Sequence, residues 1–452
     1  MLHQVNPSEK LVSSFSRLFK TLKVGQTLHA CGIRKFCGTS VVDVFGFLVS
    51  LAFLGISLNR HLHSERGDSC PGKDTYYRFL NNSCYSWRKF LLTIAAKIIG
   101  AFETLTSSKR VKVLILDDSV LSRNRSKKAE LLARVYDHSK GIFVHGYTLL
   151  TLGWSDGFSF VPVDFALLSS ANDTNRLVDS NNKLDKRTCG YKRRKEAMVK
   201  KPEVASRLLD NSIAAGISAD YVLMDSWFTN EPMIESVLEK GLQIIGMVKE
   251  LKQRYTLNRK TYSLSQLRSL IKQKQGSDII GSICVETKKG IPIKLVFVCN
   301  RNNRKEWLAI LSTDTTLEDH EIVRIYGMRW DIEVFFKSTK SLLKLGSEFQ
   351  GQSFDMRISH TSIVFTRYML LEWERRCNKD ERTMGDLFFL FAEEVRDMDL
   401  KTALQSLVYF FQEIKKLIPA RKVKAIISQL ADWIASQPSY IRCLLDNSCC
   451  EV

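Results

Sequence analysis

The most constraining feature of this sequence is a change of hydrophobic rhythm at Val111. Upstream, residues 15–28, 41–58 and 85–105 carry apolar side chains at spacings of three and four, which predicts helices. From there the chain reads Val-Lys-Val-Leu-Ile-Leu116, a short branched run that predicts a strand ending at Asp117-Asp118-Ser119. Residues 141–152 and 158–168 predict two further strands, and the Asp156-Gly157 pair between them signals a hairpin turn. A helix over 200–216, a strand over 221–224 ending at Asp225, a helix over 232–240 and a strand over 242–248 follow. Antiparallel strands followed by strands joined through helices describe a mixed α/β sheet.

The rhythm breaks again between 249 and 312, where 279–285 and 291–298 read as β and suggest a β-rich insertion. Residues 317–345 predict a helical stretch, and the chain stays largely helical to about 436, with a short tail at 443–452. The expected organisation is a helical region at 1–108, a core at 109–248, the insertion at 249–313, the core's return at 314–375 and a helical region at 376–452.

Charge limits the partners. Lys and Arg number 67 against 48 Asp and Glu, a formal net charge of +19 over 452 residues. Such an excess favours a polyanion, either nucleic acid or an anionic membrane surface. The longest apolar run, 45–58, has 14 residues; a membrane-spanning helix needs roughly 20, so a buried helix is expected. No secretory signal is expected at the N-terminus, because no apolar stretch follows the charged start. The 11 cysteines are odd in number and lack zinc-knuckle spacing, which points to a reduced cytoplasmic chain.

Carboxylates collect at the predicted strand ends. Asp118 and Asp225 sit where the chain leaves the sheet, and side chains there can converge on a ligand. Asp117 competes with Asp118. Strand alternation puts the two on opposite faces, and the hydroxyl neighbour Ser119, matching Ser226 after Asp225, favours Asp118. Further on, Tyr326, Arg329, Glu333 and Lys340 are separated by three, four and seven residues. On one helix they would share a narrow stripe of roughly 21 Å. A solvated face with an Arg329–Glu333 pair is the plainer account of the same spacing. Three carboxylates of this kind could hold Mg2+ or Mn2+, with room for water and phosphate oxygens.

Tyr326-Gly-Met-Arg329-Trp-Asp-Ile-Glu333, followed by Lys340, resembles the signature of IS4-type DDE transposases of bacterial insertion sequences, a group related to the transposase of transposon 5. Leu114-Ile-Leu-Asp-Asp-Ser119, Leu223-Met-Asp-Ser-Trp-Phe228, Asp137-His-Ser-Lys-Gly141 and Gly146-Tyr-Thr-Leu-Leu150 are similar to other segments of that family, over roughly residues 74–375. The resemblance implies an RNase H-like mixed-sheet core interrupted by a β-rich insertion, with helical N- and C-terminal regions. It implies Asp118, Asp225 and Glu333 as catalytic residues and ligands of about two Mg2+ ions. Tyr326 and Arg329 would engage DNA near the cleaved bond, and Lys340 the backbone of the element end. Trp307 would stack on a flipped base, although core packing is an equal reading of it. The implied partners are double-stranded DNA, carrying inverted repeats or the target, and a second copy of the chain.

Between Lys183 and Lys201, nine Lys or Arg face only Asp185 and Glu196. Lys192, Arg193, Arg194 and Lys195 are the expected phosphate contacts, unless the segment is simply a solvated loop. The N-terminal helices read either as a module for the inverted repeats or as a packing cap. The C-terminal apolar residues Leu404, Leu407, Val408, Phe410 and Phe411 suit either dimerisation or an internal core. The function expected is cut-and-paste DNA transposition. The rivals are an RNase H-like nuclease without strand transfer and an inactive or domesticated DNA-binding derivative.

Overall fold

The computed structural model describes residues 14–437, apart from 65–66, 68–69, 182, 252, 273–277, 301–302, 304–305, 378–381 and 418. The tail expected at 443–452 therefore lies outside the described residues, as do the side chains of Leu404, Val408 and Phe411. Leu407 and Phe410 are exposed.

Eleven strands form one sheet. They are β1 (Val113–Ser122), β2 (Ala133–Asp137), β3 (Ile142–Ser155), β4 (Phe160–Leu168), β5 (Tyr221–Met224) and β6 (Gln243–Val248), then β7 (Tyr255–Leu257), β8 (Lys260–Tyr262), β9 (Ile279–Glu286), β10 (Pro292–Cys299) and β11 (Trp307–Ser312). Their order is β2-β3-β1-β5-β6-β11-β10-β9-β7-β8, and β4 pairs with β3 beside β2. β1 runs antiparallel to β3 but parallel to β5, and β5 is parallel to β6. This is a mixed sheet of RNase H-like type, flanked by helical N- and C-terminal regions. Continuous apolar runs such as Val113–Leu116 and Tyr221–Met224 are buried throughout, as strands covered on both faces must be.

The β-rich residues after 249 do not stand apart from this sheet. β11 pairs antiparallel with β6 from Ala309↔Val248 to Ser312↔Ile245, and β10 and β9 continue outward. β2, which the sequence reading left unassigned, adds a short strand against the first residues of β3.

Register settles which residues share a face. Asp117 lies opposite Thr151, which lies opposite Phe165. The Phe165 ring packs 5.2 Å from Phe365 of the helix Phe354–Cys377, and Phe335 of the helix Trp330–Ser341 stands 4.8 Å from the Phe365 ring. One residue earlier, Leu116 faces Leu152, which faces Asp164. Asp164 accepts from Asn211 of the helix Lys201–Ala214 at 3.0 Å. The Asp117 face is thus covered by helices that follow the sheet in sequence, and the other face by the helix 201–214.

The N-terminal helices are built into this body. Arg367, wholly buried on the helix 354–377, donates to the carbonyls of Leu48 and Val49 in the last turn of the helix Val41–Ser50 and to Leu343. Those carbonyls have no partner within their own helix, so the contact both caps the helix and ties it to the core. Glu348 balances the charge at 2.7 Å. Among the described residues no helix is long and apolar enough to cross a membrane.

Candidate active site

β1 and β5 bring two carboxylates together by register alone. The parallel pairing runs from Val113↔Tyr221 to Leu116↔Met224, so the next residues on the two strands are Asp117 and Asp225. In parallel neighbours, equivalent positions point to the same side. Asp225 opens a tight turn, its Oδ1 accepting from the amides of Trp227 at 3.0 Å and Phe228 at 3.2 Å. Thr229 closes that turn by donating to the Asp225 carbonyl at 2.7 Å.

The third carboxylate comes from beyond the last strand. Residues expected to form one helix make two, Asp319–Gly327 and Trp330–Ser341, joined by a tightened turn at Met328–Arg329. There the amides of Met328 and Arg329 donate to Ile325 and Tyr326, three residues back instead of four. Arg329 stands at this junction. Its Nη1 donates to Asp117 Oδ2 at 2.8 Å and its Nη2 to Glu333 Oε1. The Tyr326 ring centroid lies 6.0 Å from the guanidinium. Lys340, one end of the expected stripe, donates to Ser119 Oγ at 2.6 Å. Ser119 is two residues beyond Asp117 and on its face.

Burial dominates the electrostatics. It pushes the Asp117 carboxyl up to about 7, Arg329 and the amide of Asp118 oppose the rise, and the neighbouring Asp225 and Asp118 charges add to it. The Tyr326 phenol is pushed up to about 12, first by burial, with Arg329 opposing and Asp225 adding. Lys340 is held below its ordinary value by burial, with Asp137 opposing and Lys140 adding. Asp117, Asp225, Arg329 and Tyr326 therefore act on one another as one group.

The preferred member of the aspartate doublet is not the one that joins this group. Asp118 points to the opposite face, where Lys201 donates to its Oδ1 at 2.8 Å while lying 4.0 Å from the Trp227 ring. Matching Asp118-Ser119 to Asp225-Ser226 misaligned the strands by one residue. The legible signal was Leu114-Ile-Leu116 before Asp117 against Val222-Leu-Met224 before Asp225, three apolar residues and then the acid. Lys201 was also missed as a partner of this region.

The basic segment divides by burial. It folds into the helix Cys189–Glu196. Lys192 and Lys195 are exposed on it, but Arg193 and Arg194 are buried and are not available to phosphates. Arg193 donates to Asp355 at 2.7 Å, and Arg194 spans Glu130 at 2.6 and 2.8 Å and Asp355 at 2.9 and 2.8 Å. A buried guanidinium needs such partners, and these two spend their donors on holding the strand-side loop to the helix 354–377. Trp307 begins β11 and is half-buried, its ring 5.4 Å from Phe297.

The donor chemistry suits a hard divalent cation, but the arrangement does not yet make a cage for one. Asp117 and Glu333 each give an oxygen to Arg329. Among the described residues no group of three or more His, Cys, Asp or Glu side chains is placed to hold a metal ion. The guanidinium stands in as the resident counter-charge.

A mixed sheet with acids in register on β1 and at the end of β5, and a third acid on a covering helix, is consistent with an RNase H-like fold; β1 does not end at the aspartate doublet as expected but runs on to Ser122. Residues 60–261 match the family described as "DDE superfamily endonuclease", and residues 191–374 match "Archaeal putative transposase ISC1217". Over residues 60–374 the chain is thus similar to DDE-superfamily endonuclease and transposase families. A Drosophila P element transposase strand transfer complex aligns at 9% identity over 88% of this chain and 92% of that chain, with a TM-score of 0.23, too low for the two folds to be compared. The comparison with curated proteins returns no match.

Proposed function

We propose that this chain is a DNA transposase of the IS4-type manner, which cleaves at the ends of an element marked by terminal inverted repeats and joins those ends to target DNA. One observation carries the reading: Asp117 of β1 and Glu333 of the covering helix share the half-buried guanidinium of Arg329, and the β1–β5 register sets Asp225 beside Asp117. In this reading Asp117, Asp225 and Glu333 are the catalytic carboxylates and Asp118 is not one.

Water attacks the phosphorus at the element end, the bond to the 3′ oxygen breaks, and a 3′-hydroxyl and a 5′-phosphate result. That hydroxyl then attacks a target phosphodiester and releases a target 3′-hydroxyl. Asp117, with its proton affinity moved toward neutrality, is suited to take a proton from the attacking oxygen. Mg2+, or Mn2+ in its place, belongs to the proposal because the three acids offer hard oxygen donors. Asp117, Asp225 and Glu333 would hold it only with Arg329 moved off Asp117 and Glu333, and the planar guanidinium would then be free for phosphate. Lys340, Tyr326, Lys192 and Lys195 are the proposed DNA contacts, and pairing of two copies would bring two ends together.

The test uses DNA ending in the native repeats, with Mg2+ and the variants Asp117→Asn, Asp118→Asn, Asp225→Asn and Glu333→Gln. The first, third and fourth should lose at least roughly a thousandfold in nicking while still binding DNA. Asp118→Asn should keep most of its activity. Full cleavage by Asp225→Asn or Glu333→Gln overturns the site. Nicking without joined product would leave a nuclease without strand transfer.

A further inference from the structure

The hairpin of β2 and β3 has an exposed face that the site described above does not use. Register pairs Arg134 with His145 and Tyr136 with Phe143, so these four side chains share one face of the ribbon. All four are exposed, Tyr136 to 41% and Phe143 to 57%. The other face is the packed one, with Val144 and Asp137 buried. An exposed ribbon face normally carries small polar or charged residues, and here it carries two large aromatic rings, a histidine and an arginine. They are already ordered: the Tyr136 and Phe143 centroids lie 5.0 Å apart edge to face, His138 stands 4.8 Å from Tyr136, and the Arg134 guanidinium lies 4.2 Å from the Phe143 ring.

The turn is stiff. Asp137 accepts from the Ser139 amide at 3.1 Å and hydroxyl at 2.6 Å, its carbonyl accepts from the Gly141 amide at 2.9 Å, and Gly141 takes a φ of 66° that favours glycine. The base of the hairpin is held as well, the His145 amide donating to Asn124 at 2.8 Å. Asp137 and Lys140 in this turn act electrostatically on Lys340, the residue that holds Ser119 beside the carboxylates. The hairpin therefore stands at the edge of the candidate active site.

Cations alone would serve phosphates. Flat rings held outward in water gain something only against a flat apolar partner, and an unpaired base is one that sits beside a phosphate. We propose that the β2–β3 hairpin is a stacking platform for unpaired nucleotides of a DNA end, with Tyr136 and Phe143 receiving bases and Arg134 and Lys140 receiving the backbone. This rests on the reading of the chain as a DNA-cleaving enzyme and adds the form of DNA that it holds.

The experiment is equilibrium binding of the full chain, without divalent cation, to a blunt duplex and to the same duplex with a short single-stranded overhang carrying 2-aminopurine. Wild type should prefer the overhang and change the 2-aminopurine emission by stacking. Tyr136→Ala with Phe143→Ala should lose roughly 10- to 100-fold on the overhang and little on the blunt duplex. Phe143→Trp, which keeps a ring, should keep the preference. Equal affinity of wild type for both DNAs, or an equal loss on both in the double variant, overturns the platform. If wild type binds neither DNA, the functional reading itself fails. Cleavage lost in Glu333→Gln while the overhang preference remains separates the two ideas.

Discussion

Replacing Arg194 with methionine distinguishes a structural guanidinium from a DNA contact. Its side chain is 4% exposed and makes bonds to Glu130, Asp355 and the Gly190 carbonyl. Methionine fills much of the same volume but leaves two carboxylates to find other partners. Asp355 keeps Arg193 at 2.7 Å, and Glu130 keeps the amides of Asn181 at 2.7 Å and Phe354 at 2.9 Å. Removing one partner of a buried ion pair costs about 3–5 kcal/mol, and these remaining partners put the variant at the lower end. For a protein of this size that is a fall in Tm of about 3 °C. The assay pairs thermal unfolding with the salt dependence of binding to DNA. A lost phosphate contact would reduce the slope of log K against log salt by about 1, and Arg194→Met should leave it unchanged. Lys192→Ala with Lys195→Ala, on the exposed side of the same helix, should do the reverse, reducing the slope by about 2 with Tm nearly constant. A folded Arg194→Met protein with wild-type Tm and a reduced slope would refute the reasoning.

Other consequences follow from single contacts. Asp117 has an ordinary value of 3.8 raised to about 7 in the fold, so the folded state holds a proton that the unfolded chain has released. Its contribution makes stability fall as pH rises from about 4 to 7 and level off above, by at most about 4 kcal/mol; Asp117→Asn should flatten that part of the Tm-against-pH curve, and an unchanged curve would contradict it. A Cβ added at Gly153 would come within 2.1 Å of the Phe160 ring, so Gly153→Ala should lose about 2 kcal/mol or more by overpacking, read by urea unfolding. Trp307→Ala should lose about 2 kcal/mol through its contact with Phe297, and unaltered stability would return Trp307 to the candidates for a role on DNA.

The parts of the fold that were legible are those whose burial is written in adjacent residues. Leu114–Leu116 and Val222–Met224 are apolar without a break because both faces of their strands are covered, and they read as strands at once. β2 was not legible, because its five residues have a mixed burial pattern with only Ala133 and Asp137 fully covered. The turn at Met328–Arg329 escaped as well: a hydrogen bond three residues back leaves hydrophobic spacing almost unaltered. Arg193 and Arg194 were misread for a different reason. Their counter-charges are Glu130 and Asp355, distant in sequence, and a run of four cations carries no mark of which side of its helix is wet. Of the proposed carboxylates, Glu333 and Asp225 could be picked out from spacing and a strand end. Choosing between Asp117 and Asp118 needed the register of a neighbouring strand.

The hydrogen-bonded seam between β6 and β11 has a consequence for how such a chain can be shortened. Four residue pairs, Ala309–Val248 to Ser312–Ile245, join what looked like an inserted segment to the central strands. Excising residues 249–313 and rejoining the ends would strip β6 of this partner and leave a bare edge whose backbone groups invite another chain. Tolerated deletions should therefore begin at the far margin of the sheet, at β7 and β8, and stop before the seam. Lineages that trim the protein would be expected to wear it away from the outside inward, as a fabric frays from its selvage.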